Sequence, residues 1–326
     1  TLYNSNYSAK GLAMYYSLLR HCQAFHLYIF AFDNILVEAL NKMKLEHVTV
    51  VTLKEFEDEE LLKVKQTRTA GEYCWTCSSS TILYCLEHFN IDSCTYIDAD
   101  LYFYSDPQVL IDEMGEKDVS IIPHRYTPKY DQSKTAGIYC VQFMTFKNTP
   151  KGLEVLKWWR ERCLEWCYAR HEDGKFGDQK YLDDWLMRFD CVCELQNLGG
   201  GVAPWNQQQY AFRKEKNEIV GIEESTGKKF NVIFYHFHNL RSFSCGIFRD
   251  YRIALDYELP NDVKKLLYLP YIKEHNRCFR IIKKIDHNID GIATEKAEYD
   301  SWVGWIKKWR RHKYIEKNNR YFYWIE

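Results

Sequence analysis

The chain has 326 residues, long for one small core and short for two full domains, so it reads as one large domain with an appendage. Hydrophobic residues make up 46%, charged residues 27%, and the formal net charge is −1, so no global basic field exists to draw in nucleic acid. No run of about 18 uncharged apolar residues occurs, which argues against a spanning helix, and the first residues carry neither a charged leader nor an apolar run, so a cytoplasmic setting is expected.

Residues 1–3 read as the end of a strand and 9–20 as a helix. A β-rich apolar run follows at 25–32, a helical stretch at 35–44 and the β-branched strand VTVVT at 48–52. Residues 54–66 and about 77–88 look helical, 94–98 is a short apolar strand ending in acids, and 119–122 is another strand. Strands separated by helices of this length predict an α/β fold with a mostly parallel sheet flanked by helices. Asp106-Pro107 marks a turn and a helix start, 139–146 a core strand, 149–170 a long amphipathic helix, and 231–236 a late apolar strand. From about residue 259 the chain is Lys-rich, with helical pattern and no strand signal. The expected division is a main domain at 1–250 and a helical, basic and aromatic extension at 251–326. The 12 cysteines, spaced as Cys74/Cys77, Cys163/Cys167 and Cys191/Cys193, do not form the paired spacing of a zinc ribbon and read as reduced, mostly buried thiols.

The segment Thr95-Tyr96-Ile97-Asp98-Ala99-Asp100 is the central feature. An apolar strand delivers two carboxylates, at i and i+2, to its carboxyl end, the edge at which open α/β sheets bind ligands. Two same-side carboxylates suit a hard cation such as Mn²⁺ or Mg²⁺, which in turn holds a diphosphate. A turn or capping pair is the plain alternative, but no other Asp-x-Asp occurs in the chain. His236-Phe237-His238-Asn239 follows the late strand, and a histidine there can complete a metal shell begun by distant acids.

TYIDADLYF followed by Ser-Asp-Pro resembles the Asp-x-Asp segment of GT-A glycosyltransferases. The opening YNSNY…YYSLLRH resembles the first nucleotide-binding loop and helix of glycosyltransferase family 8, a group that includes bacterial lipopolysaccharide sugar transferases. The resemblance covers residues 1 to about 240. It implies a GT-A, Rossmann-like fold, with 1–250 as the nucleotide-sugar-binding catalytic domain. It also implies a metal held by Asp98, Asp100 and His236, and an acid–Gln pair at Asp178-Gln179, with Gln179 beneath the anomeric carbon of a retaining enzyme. The chain departs from the family pattern at Asn239, where glycine is usual, and lacks the Lys-Pro-Trp tail.

On this reading the nucleotide lies against Thr1, Leu2, Tyr3, Tyr7 and Asp33, with Arg68 near the diphosphate or ribose and Ala99 between the two acids. Asp178 is equally readable as a helix cap. His124 and Arg125 follow a strand and could reach the donor sugar. Gly200, Trp205 and Asn206 belong to a Gly-rich loop suited to lining a sugar site, although a plain connecting loop explains it too, and His238 joins them. The expected donor is a UDP-sugar and the acceptor a glycan or lipid-linked glycan. Trp302, Trp305 and Trp309 recur at helical spacing among cations, so residues 299–324 read either as a helix resting on an anionic membrane surface or as one packed on the domain. A haloacid-dehalogenase-like phosphatase would carry its Asp-x-Asp on the first strand, a nucleotidyltransferase would need a Gly-rich loop after strand one, and a non-catalytic carbohydrate-binding protein is the remaining alternative.

Overall fold

The computed structural model describes residues 1–245, 248–253, 257–287, 289 and 321–325. Its amino half is the expected alternation: β1 (Leu2–Tyr3), α1 (Ser8–His21), β2 (Leu27–Ala31), α2 (Asn34–Met43) and β3 (Val48–Thr52). These strands form a parallel sheet in the order β1-β2-β3. The stretch at 54–66 is two helices, α3 (Leu53–Phe56) and α4 (Glu59–Lys65), because Asp58 caps the second by accepting from the Leu61 N–H. The next helix, α5 (Ala70–His88), begins a full two turns before the expected start, at a capping box in which Thr69 and Glu72 satisfy each other's backbone N–H groups.

Next come β4 (Ser93–Ile97), β5 (Leu101–Phe103), α6 (Gln108–Glu113), β6 (Val119–Pro123), β7 (Tyr139–Lys147), α7 (Pro150–Glu165), α8 (Trp185–Arg188) and β8 (Val192–Glu194). They form a four-stranded sheet, β4-β7-β6-β8, in which β7 runs antiparallel to both neighbours and only the β6–β8 pair is parallel. The sheet carrying the acids is therefore mixed. The reason is local: 124–138 joins β6 to β7 without a crossover helix, so the chain returns antiparallel. The helix expected to reach 170 stops at Glu165, where Trp166 turns extended.

The remaining elements include a hairpin that the sequence reading lacked: β9 (Tyr210–Glu215), β10 (Glu218–Glu223) and β11 (Lys229–Asn231) form an antiparallel sheet. The late strand is shorter than expected, β12 (Phe234–His236), and pairs with β5. Beyond it lie β13 (Leu240–Cys245), β14 (Phe248–Ile253), α9 (Asn261–Val263), the long helix α10 (Leu269–Ile285) and β15 (Tyr321–Ile325). The extension is thus helical at α10 but carries a strand at 321–325, paired with β14, where only helix was expected. The proposed surface helix with Trp302, Trp305 and Trp309 lies outside the described residues.

Alternate residues of the strands feed two cores. Ile29, Ile97 and Phe143 pack toward α1 and α10, whereas Phe30, Tyr96 and Met144 pack toward α5 and α7. Burial on both faces is why these strands read as unbroken apolar runs rather than alternating ones. None of the described cysteines forms a disulfide, and most are buried. Among the described residues no helix is long and apolar enough to cross a membrane.

Candidate active site and metal centre

The acids sit where β4 ends. The Asp98 N–H donates to the Gln142 carbonyl of β7 at 3.0 Å, and the chain then reverses, the Leu101 N–H reaching the Asp98 carbonyl at 3.3 Å. This turn sends β5 antiparallel to β12, with His236 opposite Leu101. The Phe237 N–H donates to the Asp100 carbonyl at 3.0 Å and the His236 N–H to the Val202 carbonyl at 2.9 Å. Backbone pairing alone therefore brings residue 236 beside residues 98–100. His236 Nε2 lies 3.1 Å from Asp100 Oδ1 and 3.7 Å from Asp98 Oδ2. One ligand atom of each of the three lies within 4.8 Å of the others, the one such group among the described residues. Two carboxylates and an imidazole suit Mn²⁺ or Mg²⁺.

The free centre is neutralised from within. Lys10 Nζ lies 3.4 Å from Asp100 Oδ2 and 4.6 Å from the centre of the Tyr7 ring. Burial opposes the charge on Asp100, yet Lys10 and His236 beside it hold its carboxyl well below the usual range. Burial likewise opposes protonation of His236, but the Asp100 carboxylate overrides it and pushes the imidazole up to about 10. Asp98, which accepts from the Tyr96 hydroxyl at 3.0 Å, is raised by burial.

The cluster opens on a cavity of about 830 Å³, within the range of small-molecule sites. Of the residues singled out in the sequence, Leu2, Tyr3, Tyr7, Arg68, Asp98, Ala99, Asp100, His124, Asp178, Gln179, Trp205, His236 and His238 line or border it. Thr1 does not: it borders a separate cavity of about 230 Å³ with Tyr28, Cys85 and Cys94. Asp33 caps α2, accepting from the Leu36 N–H at 2.7 Å, and also accepts from the Ser5 N–H. Arg125 turns inward and donates to the carbonyls of Gly200 and Leu195 at 2.7 and 2.6 Å. Asn206 is consumed by the His124 and Gly201 carbonyls and the Ala203 N–H. Gly200 backs onto Leu110, where a Cβ would come within 2.9 Å of a methyl carbon. These five residues shape the fold around the cleft and are not part of its lining.

The helix-cap reading of Asp178 finds no support, since the 3₁₀ turn Lys180–Asp184 has no side-chain cap. Gln179 donates to the Ala136 carbonyl at 2.7 Å. Asp178 is buried, and that burial pushes its carboxyl up to about 7, with the Asp98 charge adding to the effect. A carboxyl raised in the fold contributes its full stability below its unfolded value near 4, and that contribution fades as pH climbs through about 7. The ionised side chain then costs the metal-free fold up to about 4 kcal/mol. Asp178→Asn keeps the shape and cannot ionise, so its melting temperature should match the parent's near pH 3 and exceed it by a growing margin up to pH 8. An equal difference at both pH values would show that Asp178 ionises normally.

Several lining residues escaped the sequence reading: Ser78 and Trp75 of α5, Tyr126, and Phe176. Lys10 and Gln142 escaped it too. Lys10 follows Tyr7 by three positions in the first turn of α1, a spacing that puts both on one side. Gln142 is a lone amide inside the apolar run YCVQFMTF, and a polar residue in a doubly buried strand is itself a signal. The departure at Asn239 also resolves: its φ is +56°, the left-handed region that glycine occupies freely and asparagine tolerates.

No protein-family model matches the chain. Among solved structures, it resembles the galactosyltransferase LgtC in complex with donor and acceptor sugar analogues, with a TM-score of 0.50 at 12% identity, covering 85% of this chain and 94% of that one. That likeness makes the fold GT-A. Two Bacillus subtilis (strain 168) proteins, both described as uncharacterized, are similar in sequence. YfnD is 31% identical over 92% of this chain and 96% of its own length, and YfnF is 30% identical over 88% and 94%. At that identity over nearly their whole lengths, the chain belongs to the same protein family as YfnD and YfnF, and it carries the GT-A glycosyltransferase fold.

Proposed function

We propose that this protein is a metal-dependent glycosyltransferase that moves a hexose from a nucleotide-diphosphate donor, a UDP-sugar, to a hydroxyl of a glycan or lipid-linked glycan in cell-surface polysaccharide synthesis. One observation carries the reading: Asp98, Asp100 and His236 converge from two distant strands on the wall of a large cleft in a GT-A fold. A divalent ion bound there would act as the Lewis acid that stabilises charge on the departing nucleoside diphosphate. Leu2, Tyr3 and Tyr7, at the end of β1, offer the nucleoside an apolar wall, with Arg68 at the rim. Trp205, His124 and His238 form the aromatic side of the sugar pocket, with Trp205 Nε1 held by the His124 carbonyl at 2.9 Å. Trp75 stays 36% exposed on an otherwise buried stretch of helix and, beside Phe176, gives an acceptor sugar a face to stack on.

Gln179 beneath the donor corresponds to a retaining enzyme. Asp178, held near neutrality, is the base that an inverting reaction would recruit, and the anomeric configuration of the product separates the two. The acids follow the fourth strand, which counts against a dehalogenase-like phosphatase. Contact of residues 299–324 with an anionic membrane belongs to the case of a lipid-linked acceptor.

A melting-temperature panel of sugar nucleotides, with and without Mn²⁺, tests the function. One donor should raise the melting temperature only when metal is present, by mass action on the folded state, and should be slowly hydrolysed without acceptor. Metal-independent or absent shifts across the whole panel would refute the reading, and a shift without turnover would leave a carbohydrate-binding protein.

A further inference from the structure

Gln142 stands in the middle of β7, between Val141 and Phe143, and is fully buried. Its Oε1 lies 2.8 Å from His236 Nδ1, the ring nitrogen that faces away from the acids. Its Nε2 has no hydrogen-bond partner. Burying an amide with a vacant donor costs free energy that an apolar residue at the same place would avoid. Packing therefore does not explain a glutamine here. The opposite orientation of the amide would aim N–H groups at Nδ1 and force the proton onto Nε2, the nitrogen needed for a metal.

We infer that Gln142 is the positioning residue of the metal centre: its Oε1 accepts the Nδ1 proton of His236 and so aims Nε2 at the point shared by Asp98 and Asp100. The inference rests on the metal-site reading above. Metal-bound imidazoles are commonly held this way through their second nitrogen, which fixes both the ring plane and the tautomer. It also gives the three-glycine loop a role other than lining the substrate. Gly201, at φ +93°, passes behind the amide, and a Cβ there would fall 3.1 Å from Gln142 Nε2 and 2.9 Å from a methyl of Ile122. The loop leaves room for the amide that orients the histidine.

Mn²⁺ uptake by the full chain, followed through the electron paramagnetic resonance of free Mn²⁺, tests this. Gln142→Met fills the same space without an acceptor and should weaken Mn²⁺ binding roughly 10- to 100-fold. Gln142→Glu retains an acceptor at the same place and should bind close to the parent. In a His236→Ala background, Gln142→Met should change nothing further, because its partner is already gone. Unchanged affinity in Gln142→Met, or an equal loss with and without His236, overturns the inference and leaves the metal site intact. A parent chain that takes up no Mn²⁺ overturns the metal reading itself, a different outcome. If Gln142→Met does not fold, Gln142→Asn, one methylene too short to reach Nδ1, is read by the same criteria.

Discussion

Alanine at Asp98 or at Asp100 should lower sugar transfer by about a thousandfold or more and abolish Mn²⁺ binding. Losing the metal's stabilisation of the leaving diphosphate, on the order of 4 kcal/mol, corresponds to that factor. The turn that shapes the site should survive in both, because it is closed by backbone groups of residues 98 and 101. The two variants should nevertheless differ in stability. Asp100 pairs with both Lys10 and His236, so its removal strips Lys10 of its carboxylate in a buried place and breaks the contact to the imidazole, and Asp100→Ala should melt below Asp98→Ala. Initial rates with the matched donor, together with metal-free melting curves, check both points. If both variants turned over normally, the assignment of the metal to these acids would be wrong.

Metal affinity should climb with pH, about tenfold per unit, so that Mn²⁺ binds roughly a hundredfold tighter at pH 8 than at pH 6. The sign follows from the state of His236. Asp100 holds the imidazole protonated up to about 10, and a metal needs Nε2 bare, so each ion must expel a proton throughout this window. Asp98, raised by burial, adds to the dependence at the acid end. Calorimetric titration in buffers of different ionisation heats counts the protons released, and an affinity flat from pH 6 to 8 would contradict the ion-paired centre. His236→Ala should bind more weakly but lose most of the slope.

Much of this was readable in the residues. The strand at 48–52, the helix at 108 after Asp106-Pro107 and the acid pair at a strand end are set by local rules of branching, turn chemistry and burial, and they lie where expected. A histidine at the end of the late strand was offered by the residues as a partner for the acids and His236 was singled out by resemblance, because antiparallel pairing of β5 with β12 is a non-local fact that no sequence window contains. Asp33, Arg125 and Asn206, read as ligand-facing, are found bonded to backbone groups for a common reason. Acids at strand ends, and Arg or Asn in loops, serve the backbone's own unsatisfied groups as readily as a substrate's. The mixed sheet was missed because a helix-free return between β6 and β7 leaves no periodic trace.

On the proposed metal-site reading, the pairing of β5 with β12 also sets when the protein can first work. The two acids are made early and the histidine more than a hundred positions later. A nascent chain on the ribosome therefore has no complete set of ligands until the segment around Tyr235 has emerged and docked. Any polypeptide released short of that point carries the two acids without the histidine of the proposed site.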